Sequence, residues 1–236
     1  MNIDLLRRLN AARAARNAAI LITEPDTGEA RLVVEAEGYA ADPLRDTLAA
    51  RFRSGVSGMV EADGRSLFLT VELPPPRLVV IGAVHISQAL APMARIAGFD
   101  VTIIDPRTAF ATPDRFPDVP LLAEWPSDVI PEKVRFDAFT AVAALTHDPK
   151  IDDGALTAAL DARCFYIGAL GSRKTHGKRL ERLRAAGAPE AGLATIHAPI
   201  GLPISAQSPA EIAVAILAEV IGALRTRGAG EREAAA

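Results

Sequence analysis

The strongest constraint on the fold is a short apolar run that ends in glycine and leads directly into a helical pattern. Leu78 to Ile81 are four consecutive apolar residues, Gly82 follows them, and Ser87 to Ala97 repeat apolar residues at helical spacing. A nucleotide-binding βα unit begins in this way, with the glycine turning the chain beneath a phosphate at the helix N-terminus. The usual glycine fingerprint fails at its second position, where Val84 stands, so the pattern disfavours ordinary NAD binding.

The rest of the chain predicts an α/β protein with two parts. Pro74 to Pro76 resist helix and mark a domain boundary. After them, apolar strand patterns at 101–104, 119–122, 140–145 and 165–167 alternate with helical patterns at 152–160, 174–186 and 209–225. The alternation predicts a Rossmann-like parallel sheet over residues 77–226. Two hairpin patterns and two helical patterns in residues 1–73 predict a small N-terminal α+β domain, and residues 227–236 are expected to form a disordered tail.

Composition excludes several classes of protein. The chain has 236 residues, half of them hydrophobic, and a formal net charge of −3 with no long basic run, which disfavours a nucleic-acid partner. No apolar stretch of about 18 residues is present, and the N-terminus lacks the apolar core of a signal peptide, so we expect a cytoplasmic protein without a membrane anchor. Cys164 is the only cysteine, which excludes an internal disulfide, and the four histidines lack metal-site spacing. We therefore predict no metal site.

Polar residues follow the predicted parallel strands, where ligands bind in open parallel sheets. These candidate cofactor-binding residues are Gly82, Val84, His85, Asp105, Arg107, Thr146, His147, Asp148, Gly168, Gly171, Ser172, Arg173 and His176. None of them forms a recognisable catalytic motif, and no catalytic residue is assigned.

Asp105 and Arg107 leave three alternatives open. Asp105 lies 23 residues after Gly82, where an acidic side chain would meet a ribose hydroxyl pair. Arg107 could instead neutralise a phosphate. A turn-forming Asp-Pro followed by a solvated arginine explains the same residues without any ligand.

Two further strand ends carry denser polar clusters. Thr146, His147 and Asp148 follow an apolar strand, and His147 could move a proton near neutral pH while Asp148 orients it or caps the next helix. The glycine-bearing loop from Gly168 to His176 brings backbone amides, a serine and two cations to a helix start. That chemistry is typical of an anion site, although a solvated basic helix start is the simpler alternative.

These same segments resemble the XdhC/CoxI family of accessory factors for xanthine dehydrogenase and related molybdenum hydroxylases. The resemblance covers about Arg77 to Arg225 and is carried by four stretches and the last helix. They read Gly-Ala-Val-His from Gly82, Leu-Thr-His-Asp-Pro-Lys from Leu145, Phe-Tyr-Ile-Gly-Ala-Leu-Gly-Ser-Arg-Lys-Thr-His from Phe165, Ile-His-Ala-Pro-Ile-Gly-Leu from Ile196 and Ser-Pro-Ala-Glu from Ser208. The family's first loop normally has glycine where Val84 stands, and its N-terminal domain normally carries cysteine, which residues 1–76 lack.

The resemblance implies a Rossmann-like domain that binds molybdenum cofactor (molybdopterin) and protects it. It also implies help with the maturation of that cofactor and its insertion into a xanthine dehydrogenase-like molybdoenzyme, with a cysteine desulfurase as a second partner. We also expect a homodimer formed through exposed apolar helix faces. Two alternatives remain open at this point: an NAD(P)-binding oxidoreductase, with Asp105 on the ribose and His147 as acid and base, and a non-catalytic interaction protein with a degenerate site.

Overall fold

The computed structural model describes residues 3–227, which divide into two compact units. One unit contains residues 3–74 together with 225–227, and the other contains Pro75–Leu224. The chain passes from the first to the second unit within the run of three prolines that the sequence marks as a boundary. The predicted tail beyond Arg227 lies outside the described residues.

The first unit is a small antiparallel sheet with helices. In chain order it contains α1 (Ile3–Ala14), β1 (Ala19–Thr23), β2 (Ala30–Val34), a short 3-10 helix (Glu35–Glu37), α2 (Arg45–Ser54), β3 (Gly58–Ala62) and β4 (Arg65–Glu72). The strands lie in the order β2-β1-β4-β3, and every pair is antiparallel. Leu48 and Phe52 on α2 are fully buried, which gives this unit an apolar core of its own.

The second unit is an α/β layer structure. Its elements are β5 (Arg77–Ile81), α3 (His85–Ile96), β6 (Asp100–Ile104), a 3-10 helix (Pro113–Arg115), β7 (Leu121–Leu122), α4 (Pro126–Val129), β8 (Thr140–Ala144), α5 (Pro149–Asp161), β9 (Tyr166–Ala169), α6 (Arg173–Ala185), α7 (Glu190–Leu193), β10 (Ile196–His197) and α8 (Pro209–Thr226). All five strand pairs are parallel. The predicted fold class, a Rossmann-like parallel sheet with a small N-terminal α+β unit, is confirmed.

Strand order fixes where a ligand can bind. The sheet runs β10-β9-β8-β5-β6-β7, which is the doubly wound order with its reversal between β5 and β8. Both strands are buried on both faces, as expected of central parallel strands: all five residues of β8 and four of the five in β5 are buried. The loops that leave β5 and β8 at their carboxyl ends therefore diverge to opposite faces and open a crevice between them.

Several predicted element boundaries are wrong. The sequence pattern starts α5 at Asp152, but Asp148 caps the helix with its side chain and Pro149 takes the first helical position, so the helix begins one turn earlier. Asp152 is consequently turned inward and is 1% exposed. Strand β10 and helices α4 and α7 were not predicted, because two- and four-residue elements are too short to show a hydrophobic period.

Candidate functional site

The crevice at the carboxyl end of the sheet brings most of the predicted binding residues together. A Cβ placed on Gly82, after β5, would lie 2.9 Å from Thr146 Cγ2, after β8. A Cβ on Gly171, after β9, would lie 3.6 Å from His147 Nδ1. The loops that follow β5, β8 and β9 therefore pack against one another at this edge of the sheet.

The loop after β5 is held in place by hydrogen bonds between its own residues and the first turn of α3. Gly82 has φ +119°, a conformation that side-chain-bearing residues rarely adopt. The buried Ser87 hydroxyl donates to the Gly82 carbonyl and accepts from the Val84 amide at 3.4 Å. Val84 itself is half-buried with extended backbone at the N-terminal boundary of α3, so its position requires no glycine. His85 is exposed and is the first residue of α3.

Asp105 at the end of β6 is engaged by protein groups on both oxygens. Its Oδ2 accepts from the Ala83 amide at 2.7 Å and from Arg107 Nη2 at 2.7 Å. Its Oδ1 accepts from the Arg107 amide and from Arg107 Nε, both at 2.9 Å. Burial acts to raise the pKa of Asp105, but the hydrogen bonds from Arg107 and Ala83 outweigh burial and hold that pKa below its ordinary value. Four donors and complete burial leave the carboxylate no free position for a ribose hydroxyl.

Arg115 is a positioning residue that the sequence pattern did not reveal. Its Nη1 donates to the carbonyls of Ala83 at 3.0 Å and Phe110 at 2.8 Å, and its Nη2 donates to Gln88 Oε1 at 2.9 Å. The guanidinium thus joins the loop after β5, the first turns of α3 and the segment after β6. No short motif links these positions, since Arg115 lies 32 residues from Ala83.

The loop after β8 is held by a buried carboxylate. The Thr146 hydroxyl donates to Asp152 Oδ1 at 2.7 Å and accepts from the Asp148 amide at 3.0 Å. His147 takes a left-handed backbone with φ +62°, and its side chain is exposed. Asp148 accepts from the Lys150 amide at 2.9 Å, so its carboxylate caps α5. Desolvation by burial raises the pKa of Asp152 to about 6 despite the Thr146 hydrogen bond.

Helix α6 begins after the loop that follows β9 and, like α5, is capped by a side chain. The Ser172 hydroxyl accepts from the Thr175 amide at 3.2 Å and caps the helix. Arg173 is exposed at the first helical position. His176 is half-buried, its Nδ1 has no hydrogen-bond partner, and burial together with the nearby Arg179 lowers its pKa.

Gly168 was expected in this loop, but it lies inside β9. A Cβ there would stand 2.6 Å from Ile200 Cδ1 and 2.6 Å from Tyr166 Oη. The position is glycine because the Tyr166 side chain folds over it. The Tyr166 hydroxyl donates to Glu219 Oε2 at 2.6 Å, and Glu219 Oε1 is 2.9 Å from His197 Nδ1. This network ties β9 and β10 to α8 instead of facing the crevice loops.

A pocket of about 300 Å³ opens between α5 and α6 beside His147. It is lined by His147, Pro149, Asp152, Asp153, Lys174, Thr175, Lys178, Arg179 and Arg182. Arg179 is 2% exposed, and its Nη2 donates to the Leu170 carbonyl at 2.9 Å. Lys174 is one of the two cations that the sequence places at this helix start. Lys178 and Arg179 do not belong to the predicted set, because a basic helix face is interpreted as solvated when only the sequence is known.

Residues 3–227 give little support for a metal site, a reactive cysteine or a membrane-spanning helix. Within that range, no group of three or more His, Cys, Asp or Glu side chains is placed to hold a metal ion. Burial raises the pKa of the Cys164 thiol to about 12, so the thiolate is scarce at neutral pH. No helix of the same range is long and apolar enough to cross a membrane.

Comparison with known families identifies the second unit. Residues 78–220 match the family model described as the XdhC Rossmann domain. The match spans β5 to α8 and includes each of the crevice loops.

Three curated proteins resemble the chain over about two thirds of its length. The chain is 34% identical over 159 residues to the uncharacterized protein YqeB of Escherichia coli, 33% over 157 residues to a probable xanthine dehydrogenase subunit of Bacillus subtilis, and 33% over 147 residues to the molybdenum cofactor insertion chaperone PaoD of E. coli. These alignments cover 66%, 66% and 62% of the chain. The chain spans less than half the length of each relative, from 29% to 45%.

One solved structure shares the fold over nearly the whole chain. A crystal structure described as a xanthine dehydrogenase from Bacillus halodurans superposes with a TM-score of 0.66. The alignment covers 94% of this chain and 64% of that one at 23% identity, so it supports the architecture alone.

Proposed function

The chain belongs to the XdhC family, and on that premise we propose that it is an accessory factor that binds molybdenum cofactor and assists its maturation and insertion into a xanthine dehydrogenase-like molybdenum hydroxylase. Support comes from two relatives, one named a molybdenum cofactor insertion chaperone and one a probable xanthine dehydrogenase subunit. A protein that binds a cofactor and hands it over needs no catalytic residue of its own.

The observation that carries the proposal is the cationic pocket at the edge of the crevice. A phosphorylated pterin has a polar ring system and an anionic end. Arg179 keeps two buried nitrogens without hydrogen-bond partners beside this pocket, while Lys174 and Lys178 line its wall. The donor set therefore suits the anionic end. His147, exposed at the adjoining loop, is available to the polar ring.

Beside these three cations, the proposed binding residues are those that the crevice loops present. They are Gly82, Val84, His85, Thr146, His147, Asp148, Gly171, Ser172, Arg173 and His176, with Asp105 and Arg107 positioning the first loop. Asp148 and Ser172 contribute by capping α5 and α6, which holds both helix starts at the crevice.

An NAD(P)-dependent oxidoreductase is the weaker alternative. Val84 fills the place of the glycine that normally lets a pyrophosphate approach the backbone. Asp105, the expected ribose partner, already accepts four hydrogen bonds. A cysteine desulfurase as a second partner and a homodimer are further parts of the proposal.

Purification under gentle anaerobic conditions from a host that makes the cofactor tests this function. We expect molybdenum, measured by mass spectrometry, and pterin fluorescence to elute with the chain. His147→Asn should lose most of both signals, since asparagine tolerates the left-handed backbone but removes the imidazole. Arg163→Asn is the matched control because Arg163, with φ +52° between α5 and β9, has the same backbone conformation outside the crevice.

Three outcomes would contradict the proposal. Absence of both molybdenum and pterin from the wild-type chain would count against cofactor binding. A rise in thermal stability with NAD(H), without any rise with molybdopterin, would favour the oxidoreductase. If neither ligand stabilises the chain and only a protein partner is recovered, the site is degenerate and the chain is an interaction protein.

A further inference from the structure

The pocket between α5 and α6 contains a buried arginine with unused donors. Arg179 is 2% exposed, and of its three guanidinium nitrogens only Nη2 has a partner, the Leu170 carbonyl. Nε and Nη1 are buried and form no hydrogen bond. Because buried donors are nearly always paired in native proteins, two unpaired donors on one cation indicate a missing acceptor. Each of these unpaired N–H groups belongs to a cation and can donate a charge-assisted hydrogen bond to an anion oxygen.

The surrounding charges point to an anion of more than one negative charge. Lys174 and Lys178 lie four residues apart on α6, so they share a face of the helix, and both line the pocket. Within residues 3–227, no carboxylate forms an ion pair with either lysine. Arg182 is already engaged by Asp153, with contacts of 2.6 and 3.1 Å. The two lysines thus have no counter-charge among the residues described, whereas Asp152 and Asp153 lie close enough to Arg179 to offset part of its charge. Lys174 also lies in the first turn of α6, where the helix dipole disfavours positive charge.

Asp152 adds a selective element to this site. Its Oδ1 accepts from the Thr146 hydroxyl, while its Oδ2 is buried without a partner. An unpaired carboxylate oxygen repels a fully ionised anion, but it can share one proton with an oxygen that carries hydrogen. Phosphate and phosphate monoesters are partly protonated near neutral pH, whereas sulfate is not. The arrangement therefore favours phosphate over sulfate.

We propose that the α5–α6 pocket is a phosphate-monoester site, in which Arg179 is the buried anchor, Lys174 and Lys178 offset the negative charge of the phosphate, and Asp152 shares the proton that the phosphate carries in its monoprotonated form. This inference deepens the proposed function by assigning a site to one group of the ligand. It rests on the proposed function only for the identity of the rest of the ligand, in which the phosphate would be the anionic end of the pterin cofactor. The anion chemistry stands on the pocket alone.

Binding of inorganic phosphate to the full chain tests the inference. Equilibrium titrations near pH 6.5 at constant ionic strength should show phosphate binding at least tenfold tighter than sulfate. The double variant Lys174→Gln/Lys178→Gln should weaken phosphate binding about tenfold or more, because it removes two charge-assisted contacts. Lys150→Gln removes an exposed lysine of α5 that does not line the pocket, so it should bind phosphate as the wild type does.

Asp152→Asn provides a readout that general electrostatics would not affect. It should abolish most of the preference for phosphate over sulfate, since asparagine cannot share the proton. Equal binding of phosphate and sulfate by the wild type, or equal phosphate binding by the double variant and the Lys150→Gln control, would overturn the inference. If molybdenum co-purifies with the chain but the phosphate titrations give these contrary results, the proposed function is retained and the phosphate site is rejected. If the chain prefers phosphate but never retains molybdenum, the phosphate site is retained and the proposed function is rejected.

Discussion

Gly82→Ala should destabilise the Rossmann unit by about 2–5 kcal/mol, combining backbone strain with overpacking. The strain arises because Gly82 has φ +119°, where an L side chain is rarely tolerated. The overpacking arises because the new Cβ would lie 2.9 Å from Thr146 Cγ2 and 3.4 Å from the Thr146 amide nitrogen. Thr146 cannot move aside freely, since its hydroxyl is fixed by Asp152.

Chemical denaturation measures this effect in the relevant unit. Trp125 is the only tryptophan and lies in the Rossmann unit, so its fluorescence reports the unfolding of that unit. Gly98→Ala is the matched control: Gly98 has φ +89°, but nothing lies within 4 Å of its added Cβ. We expect the control to lose about 1 kcal/mol, the cost of backbone strain alone. Equal losses in the two variants would mean that the loops after β5 and β8 do not pack as described.

Asp152→Asn should stabilise the chain relative to wild type increasingly as pH rises. Burial raises the pKa of Asp152 to about 6 from its ordinary value of 3.8. The unfolded chain therefore loses this proton at lower pH than the folded chain does, and ionised Asp152 costs the folded state about 3 kcal/mol above pH 6. The cost develops between about pH 4 and pH 6, so wild-type stability from this group falls as pH rises through that range.

The measurement is the difference in unfolding free energy between variant and wild type across pH. That difference should grow by about 2 kcal/mol between about pH 4.5 and 7.5. His176 has a lowered pKa and contributes with the opposite sign, which is why the difference between the two proteins is used. Asp161→Asn, an exposed carboxylate on the same helix, gives the baseline for removing a charge from α5. A difference that does not change with pH would show that Asp152 is not a buried, proton-binding group.

The sequence predicted the sheet because its strands are apolar on both faces and end in glycine or polar residues. Leu78 to Ile81 and Thr140 to Ala144 are central strands, and the residues after them meet at one edge. The order of the strands makes that meeting a physical necessity, since parallel strands end on the same side.

The buried polar residues were not predictable in the same way. Asp152 and Arg179 look like solvated charges in the sequence, because hydrophobic periodicity does not tell which polar residue a neighbouring helix will cover. Their burial depends on α5 starting at Pro149 and on α6 packing beside it. Arg115 and Glu219 bond to partners 32 and 22 residues away in sequence, a separation at which no local pattern operates.

The most direct test of cofactor delivery is a transfer experiment. The cofactor-loaded chain is mixed with a cofactor-free xanthine dehydrogenase-type apoenzyme, the proteins are separated, and the molybdenum in each is measured. The proposed function predicts that molybdenum moves to the apoenzyme and restores its activity faster than it does with free cofactor. If molybdenum stays with the chain, or the apoenzyme gains activity at the same rate without the chain, the proposal that this protein delivers the cofactor is contradicted.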